Sequence, residues 1–475
     1  MTEPADEAVR LDVHGAQRAG VAGATARATA AGAGFAEADA DRVGAVVTRL
    51  CELVAGSDFD DPDRARFTLT VTESPAALVV AVADHGLPIA LGGDRGHEIV
   101  ATLAGDPAVD HVAVRSDGDG NAVTLTVRRD PTALTHLVDE VTPTDAAPEL
   151  GEPRIERLRR DHLESLARCT WRVYGHTYVA DFLYHPEATW AMVEAGRLHS
   201  VVAVDDDGEV VGHVAIELEH VTDPVGDFTL ALTDPRYRGH HLLGRASDEL
   251  AAIIAELGLR GSLAEAVTPH TITQRSRVDG GATETGVLVG FIPSSMTYRG
   301  FSEEVQGSSR QSAVLSYQPL GPAPARTVFL PEPYAEVMAE RYEAMGLERP
   351  GGRRRAPAGA TRLDVAVDRP RSLATLEVQR VGADAVDEID RRRRALCAAG
   401  TEVVYVELPL EDPGTPDVAE GLRDRGFAYA GFVPELRDVD VLRLQYLDVE
   451  VDTGIIQLYS DDARRLLAFI EADRA

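Results

Sequence analysis

Asp234-Pro235-Arg236-Tyr237-Arg238-Gly239-His240-His241-Leu242-Leu243-Gly244 is the stretch on which the reading of this chain turns. It follows the run Thr229-Leu230-Ala231-Leu232-Thr233, which alternates as a strand does. It opens a segment, Leu242 to Leu257, in which Leu243, Ala246, Leu250, Ile253, Ile254 and Leu257 fall on one helical face. Gly258 supplies the C-cap. A strand, a glycine-bearing turn and a helix N-terminus are the parts that hold a pyrophosphate, because successive backbone N–H groups and the positive end of the helix dipole converge there. Gly239 lets the backbone come close to such a ligand. Arg236, Arg238 and Arg245 cluster around the turn, and His240 and His241 add donors.

The cluster stands against an anionic background. The formal net charge is -31, and all 47 basic residues are arginine. Such a field repels nucleic acid, so DNA and RNA are not expected as partners. No apolar run reaches the ~20 residues of a membrane-spanning helix, so no membrane association is expected. The acidic start Met1-Thr2-Glu3-Pro4-Ala5-Asp6-Glu7 lacks a cationic n-region and reads as a cytoplasmic chain without a signal peptide. Cys51, Cys169 and Cys397 are far apart and in no metal spacing, which predicts reduced thiols and no metal site.

A length of 475 residues predicts two to four domains. Residues 1–25 are rich in Ala, Gly and Glu with little periodicity and read as a flexible lead-in. A helix is expected over about 28–56, strands at 67–71 and 78–84, a helix over 96–103, and a hairpin from 109–114 to 121–127. Polar, proline-bearing residues 131–152 read as a linker. In the second unit a helix is expected over 157–173, then strands at 201–204, 210–217 and 262–267. Residues 346–360 read as a solvated basic Pro/Gly linker. The last 120 residues repeat the second unit: Ala313-Val314-Leu315-Ser316-Tyr317-Gln318-Pro319-Leu320 aligns with Asp440-Val441-Leu442-Arg443-Leu444-Gln445-Tyr446-Leu447, and Phe291-Ile292-Pro293 with Phe432-Val433-Pro434.

The Thr233–Gly244 stretch resembles motif A of the GNAT acyltransferase superfamily, a V-x-P-x-Y-R-G pattern between the fourth strand and third helix. The resemblance implies that Ala231, Leu232 and Thr233 take the pantetheine arm of acetyl-CoA or another acyl-CoA. It implies that Arg238, Gly239, His240, His241, Leu242, Leu243 and Gly244 take the pyrophosphate. His241 and Leu243 stand where the family has glycines, and Arg277 stands at the family's tyrosine. The reaction needs a base for the amine proton and N–H groups for the oxyanion. Glu217 and Glu284 are the candidate bases. His270 and Tyr298 are the candidates for the missing acid, and His213 reads as a core residue.

The amino-terminal order of helix, strands and Asp84-His85-Gly86 resembles the GHKL ATPase fold, nearest the anti-sigma-factor serine kinases. Asp84 and Gly86 would then contact a nucleotide, with ATP the implied ligand. Thr48 and Glu52 stand where that family has its base and its metal-binding asparagine, which argues against kinase chemistry. The expectation is an α+β protein of three domains. Residues 1–135 form a GHKL-like α/β sandwich, 153–345 a GNAT-like mixed-sheet domain, and 361–475 a second GNAT-like domain without the CoA loop. The expected function is transfer of an acyl group to an unidentified amine, on a small molecule or a protein. The amino-terminal domain would be regulatory and could dock a protein partner. The alternative is a non-enzymatic regulator that senses a nucleotide or CoA.

Overall fold

The computed structural model describes residues 7–15, 18–33, 35–58, 66–73, 77–85, 102–103, 105–106, 109–117, 120–128, 151–175, 177–294, 296 and 309–474. The amino-terminal part is β1 (Glu7–His14), α1 (Ala19–Gly32), α2 (Glu37–Asp58), β2 (Arg66–Glu73), β3 (Ala77–Asp84), β4 (His111–Asp117) and β5 (Gly120–Arg128). The central part is β6 (Arg154–Arg157), α3 (Leu163–Tyr174), α4 (Pro186–Glu194), β7 (Leu198–Val204), β8 (Val210–Glu217), β9 (Val225–Thr233), α5 (Leu242–Leu257), β10 (Gly261–Val267), α6 (Ile272–Asp279), β11 (Thr283–Ile292), β12 (Gln311–Pro319) and α7 (Ala335–Ala344). The last part is β13 (Arg362–Asp368), β14 (Leu373–Arg380), α8 (Ala385–Ala398), β15 (Val403–Pro409), α9 (Thr415–Arg423), β16 (Ala428–Val433), β17 (Val441–Leu447) and α10 (Asp461–Arg474).

The strands form two mixed sheets. One has seven strands in the order β11-β12-β10-β9-β8-β7-β6, and the other ten in the order β1-β2-β3-β5-β4-β13-β14-β15-β17-β16. Each contains one parallel neighbour pair, β9 with β10 and β14 with β15. Each parallel pair is followed by the same arrangement, in which the last strand of the chain segment inserts between its two predecessors. The repeat at Ala313–Leu320 and Asp440–Leu447 therefore falls on topologically matching strands.

The two sheets meet where β11 crosses β16. Gly286 lies directly against Gly431, so close that a Cβ on Gly286 would sit 1.9 Å from the Ala430 carbonyl oxygen. The Gln445 side chain spans the gap as a backbone would. Its Oε1 accepts from Val289 N at 2.9 Å, and its Nε2 donates to Tyr429 O at 3.1 Å and Val287 O at 3.3 Å. Tyr429 Oη donates to Thr285 O at 2.8 Å. Every partner is buried, which makes these bonds costly to break.

Two sequence expectations are corrected. Residues 1–25 are not a loose lead-in where described: β1 pairs antiparallel with β2, and α1 packs on α2. Alanine and glycine form its contact face, with Ala22, Gly23, Ala26 and Ala30 buried, so it lacks the large apolar residues by which amphipathic helices are usually read. Residues 346–360 are not a solvated linker throughout. Arg349 is buried and pairs with Glu435 at 2.7 Å and Asp440 at 2.5 Å, and Arg354 pairs with Asp417 and Glu420. The expected helix over 96–103 and the linker over 131–152 lie largely outside the described residues. The amino-terminal strands and the last third of the chain share one sheet through β4 and β13.

Candidate functional site

The site forms where β9 leaves β10. The two strands pair only from Val225↔Gly261 to Asp227↔Leu263 and then diverge. On its other side β9 carries a bulge. His213 pairs with Leu232 and Ala215 with Thr229, so Leu230 and Ala231 together oppose Val214. Leu230 takes φ 56, a left-handed conformation that is unusual and strained for a leucine inside a strand. The bulge takes β9 out of regular pairing with β8 in the stretch where β10 has already diverged.

The gap opens on a cavity of about 530 Å³. Its floor on the β9 side carries Glu217, Asp227 and Glu265. Glu217 and Asp227 are cross-strand partners, and Glu265 stands on β10 two residues beyond Leu263, the partner of Asp227. Burial, then the nearby Glu265 and Glu217 carboxylates, push the Asp227 carboxyl well above its ordinary range, against a smaller pull from Arg277 and Arg443. Burial also raises Glu217, opposed by Arg197 and Arg371. Asp227 is the functional candidate that sequence reading missed. The strand was read from Thr229, and an isolated Asp two residues earlier gave no periodic signal.

The loop Asp234–Gly244 is built as its sequence suggested, with different roles for its arginines. Asp234 is buried and accepts from Arg236 N at 3.0 Å, Arg236 Nη2 at 2.8 Å and Arg172 Nε at 2.6 Å. Arg236 is thus a brace for the turn. Arg245 donates to Pro153 O at 2.9 Å and reaches Glu152 at 3.3 Å. Arg238 differs. It is half-buried, and its charge acts on Tyr174 and His270, which both line the cavity. Gly239 takes φ 89 and Gly244 is helical; a Cβ at either would meet no atom within 4 Å. His241 occupies the N-cap at φ 55 with no side-chain capping bond, and its side chain is exposed. The first turn of the 16-residue helix α5 therefore offers its N–H groups outward. This is an open cradle at a positive helix end, and it fits a pyrophosphate. His241 adopts a left-handed conformation of the kind for which glycine is suited.

The other sequence candidates divide. His270 lines the cavity. Burial, then the charge of Arg238, push its imidazole down to about 4, so it is neutral at pH 7. Glu284 does not line the cavity. It lies at the start of β11, where Ser460 Oγ donates to it. Tyr298 and Gly86 lie outside the described residues. Arg277, at the family's tyrosine position, is buried, donates to Ser262 O at 3.0 Å and stacks over the Phe228 ring. Asp84 is buried on β3, accepts from Asn121 Nδ2 at 2.8 Å, and does not line the cavity. Among the described residues no group of three or more His, Cys, Asp or Glu could hold a metal, and no helix is long and apolar enough to cross a membrane.

His213 is a core residue. Its Nδ1 donates to Leu230 O at 2.8 Å and so braces the bulge. Burial pushes its imidazole down to about 4, against the raising effect of that bond. A depressed histidine favours the fold above its unfolded value near 6.5 and costs stability as the pH falls towards 4, where the unfolded chain binds the extra proton. The full loss is ~3 kcal/mol. Urea midpoints measured at pH 7 and pH 4.5 should fall more for the wild type than for His213→Gln. Equal falls would refute a buried neutral imidazole.

No known protein family matches the sequence, and no curated protein does. Solved structures do show a likeness to part of the chain. The ribosomal-protein-S18-alanine N-acetyltransferase from Escherichia coli shares 14% identity, with 36% of this chain and 96% of that one covered, at a TM-score of 0.28. A GNAT superfamily phosphinothricin acetyltransferase from Sinorhizobium meliloti, in complex with AcCoA, shares 16% identity over 36% and 90% at a TM-score of 0.29. Mutant forms of the spermidine/spermine N-acetyltransferase SpeG from Vibrio cholerae share 14% over 35% and 94% at 0.27.

Proposed function

We propose that the chain transfers an acyl group from acyl-CoA to an amine in the cavity beneath β9. The observation that carries this reading is the splayed β9–β10 pair, which borders a carboxylate-lined cavity and whose first strand leads into an open helix N-terminus. The cradle residues Arg238 to Gly244 would hold the pyrophosphate, and the bulged backbone at Ala231–Thr233 the pantetheine arm. Bound acyl-CoA supplies the activated acyl group. The chain's own part is positional and electrostatic. Asp227, with Glu217 beside it, takes a proton from the acceptor ammonium so that the amine can attack. N–H groups at the Leu230 bulge hold the oxygen that gains charge. The amide C–N bond forms as the C–S bond breaks, and the second proton shed by the attacking nitrogen passes, directly or through solvent, to the departing sulfur. The GHKL-like amino-terminal unit, with Asp84 and Gly86 as its nucleotide contacts, has a regulatory place in this proposal.

Calorimetry with acetyl-CoA, CoA and ATP tests it. Both CoA species should bind, and Gly239→Glu should weaken them by on the order of 100-fold or more, ~2.7 kcal/mol. That change sets a carboxylate at the phosphate cradle and a side chain at φ 89. No heat with either CoA species would overturn the transferase reading. Heat with ATP alone would favour the non-enzymatic regulator.

A further inference from the structure

The cavity has two walls of different origin. The central part of the chain supplies Glu217, Asp227 and Glu265, and the last third supplies Arg371, Arg437 and Arg443. Arg437 and Arg443 are already committed. Arg443 bridges Glu265 and Glu407 at 2.8 Å each. Arg437 pairs with Glu407 and stands 3.7 Å from Glu377 and 3.8 Å from Glu219. Its loop is held at cost, since Glu435, Arg437 and Asp438 all take left-handed conformations at φ 58, 52 and 65. Each such residue costs on the order of 1 kcal/mol, and Arg260, Arg326 and Arg349 pin the loop through Glu435. Burial would raise Glu407, but Arg437 and Arg443 outweigh it and hold the carboxyl well below its usual range.

Two groups of opposite kind in the cavity each keep one unmet atom. Asp227 Oδ1 is buried and has no hydrogen-bond partner among the described residues, and the same is true of Arg371 Nε. Arg371 gives one Nη to Asp368 at 2.5 Å and lies by the Phe291 ring. It is enclosed by protein, yet 29% of its side-chain surface stays accessible, and it lines the cavity. Arg197, also lining it, donates Nε to Leu218 O at 3.2 Å and makes no ion pair among the described residues. Both arginines act on Glu217, the cross-strand partner of Asp227. A carboxyl with an unmet oxygen, a guanidinium with an unmet Nε and a guanidinium without an ion pair among the described residues therefore flank one residue. Leaving such groups buried and unpaired costs ~1–3 kcal/mol each, and one small ligand carrying both charges would satisfy both. A purely cationic polyamine would satisfy Asp227 and oppose Arg371.

We infer that the acceptor is a free amino acid, with its amine at Asp227 and its carboxylate at Arg371 and Arg197. This rests on the acyl-transfer reading and narrows it. Phe291, Ile292 and Met296 line the same cavity and give an apolar place for the side chain. Its volume, about 530 Å³, lies in the range of small-molecule sites.

The test uses the full chain and acetyl-CoA, with CoA release measured against free amino acids, the same amino acids as carboxamides, and spermidine. The preferred amino acid should exceed its carboxamide in kcat/KM by roughly tenfold or more, ~1.4 kcal/mol. Arg371→Gln and Arg197→Gln, on separate elements, should each raise KM for the acid more than for the carboxamide and so erode that preference. Spermidine or carboxamides used as well as the acids would overturn the inference, as would variants that slow acid and carboxamide alike. Acetyl-CoA binding, followed in parallel by calorimetry, separates the two levels. Binding with carboxylate-independent turnover overturns this inference alone, and absence of binding overturns the transferase reading with it.

Discussion

Replacing Gly286 by valine should take the two sheets apart. A Cβ there would lie 1.9 Å from Ala430 O and 2.4 Å from Gly431 Cα, so the obstruction is backbone and no rotamer relieves it. The reverse contact is as tight: a Cβ on Gly431 would meet Leu315 Cδ2 at 2.8 Å and Gly286 Cα at 3.0 Å. Neither strand has room to retreat, because β11 is held by β12 and β16 by β17. Separation would also strip Gln445 and Tyr429 of their buried bonds across the junction. The expected loss is at least ~3 kcal/mol, at the upper end for an overpacked core. Gly239→Ala is the control, since that Cβ enters open space and pays only the strain of φ 89, ~1 kcal/mol. Thermal unfolding of both variants by circular dichroism checks the contrast. A valine variant as stable as the alanine control would mean that the sheets do not cross in contact.

Asp227→Asn should cost kcat on the order of 10²–10⁴-fold, the usual worth of a positioned base, while acetyl-CoA still binds. The pH dependence has a definite sign. A base works deprotonated, so activity falls as the pH drops through its pKa. Burial and the like charges of Glu265 and Glu217 place that fall above the ordinary carboxylate value of 3.8. Glu265→Gln removes a repelling charge and should move the acid limb of kcat/KM to lower pH. Asp227→Asn should remove the limb with the activity. An Asn variant within roughly threefold of wild type would exclude Asp227 as the base and return that role to Glu217.

How much of this was legible depends on the range of the signal. Helix α5 was readable to its ends because Ala246, Leu250, Ile253 and Ile254 repeat at the helical period and Gly258 closes it with φ 66. The cradle was readable for the same reason, being local. The braces within it were not. That Arg236 serves Asp234 and Arg245 serves Pro153, while the charge of Arg238 acts on Tyr174 and His270, depends on contacts no spacing announces. The bulge at Leu230 was hidden because a leucine in an alternating run looks like any strand residue. The second wall of the cavity was least visible. Arg371 and Arg443 meet Glu217 and Glu265 across more than a hundred residues of chain, and in the sequence they are two arginines among 47 basic residues. The internal repeat was visible in β12 and β17, whose buried apolar runs are similar, but it did not say that the copies would cross.

The seam between β4 and β13 places the chain's joints where its sequence has none. Val365 pairs with Val114, Ala366 with Ala113, Val367 with Val112 and Asp368 with His111. Just beyond, Arg369 N donates to Asp110 O at 2.6 Å and its guanidinium to Asp106 O at 2.5 Å. Severing the polypeptide between residues 128 and 151 would therefore produce two fragments that each carry a raw strand edge, a template for adhesion to other chains. The same seam ends two residues before Arg371. The turn that presents this guanidinium to the cavity is moored to the amino-terminal strands, so any tilt of β4 is felt at the place where an acceptor's carboxylate would rest.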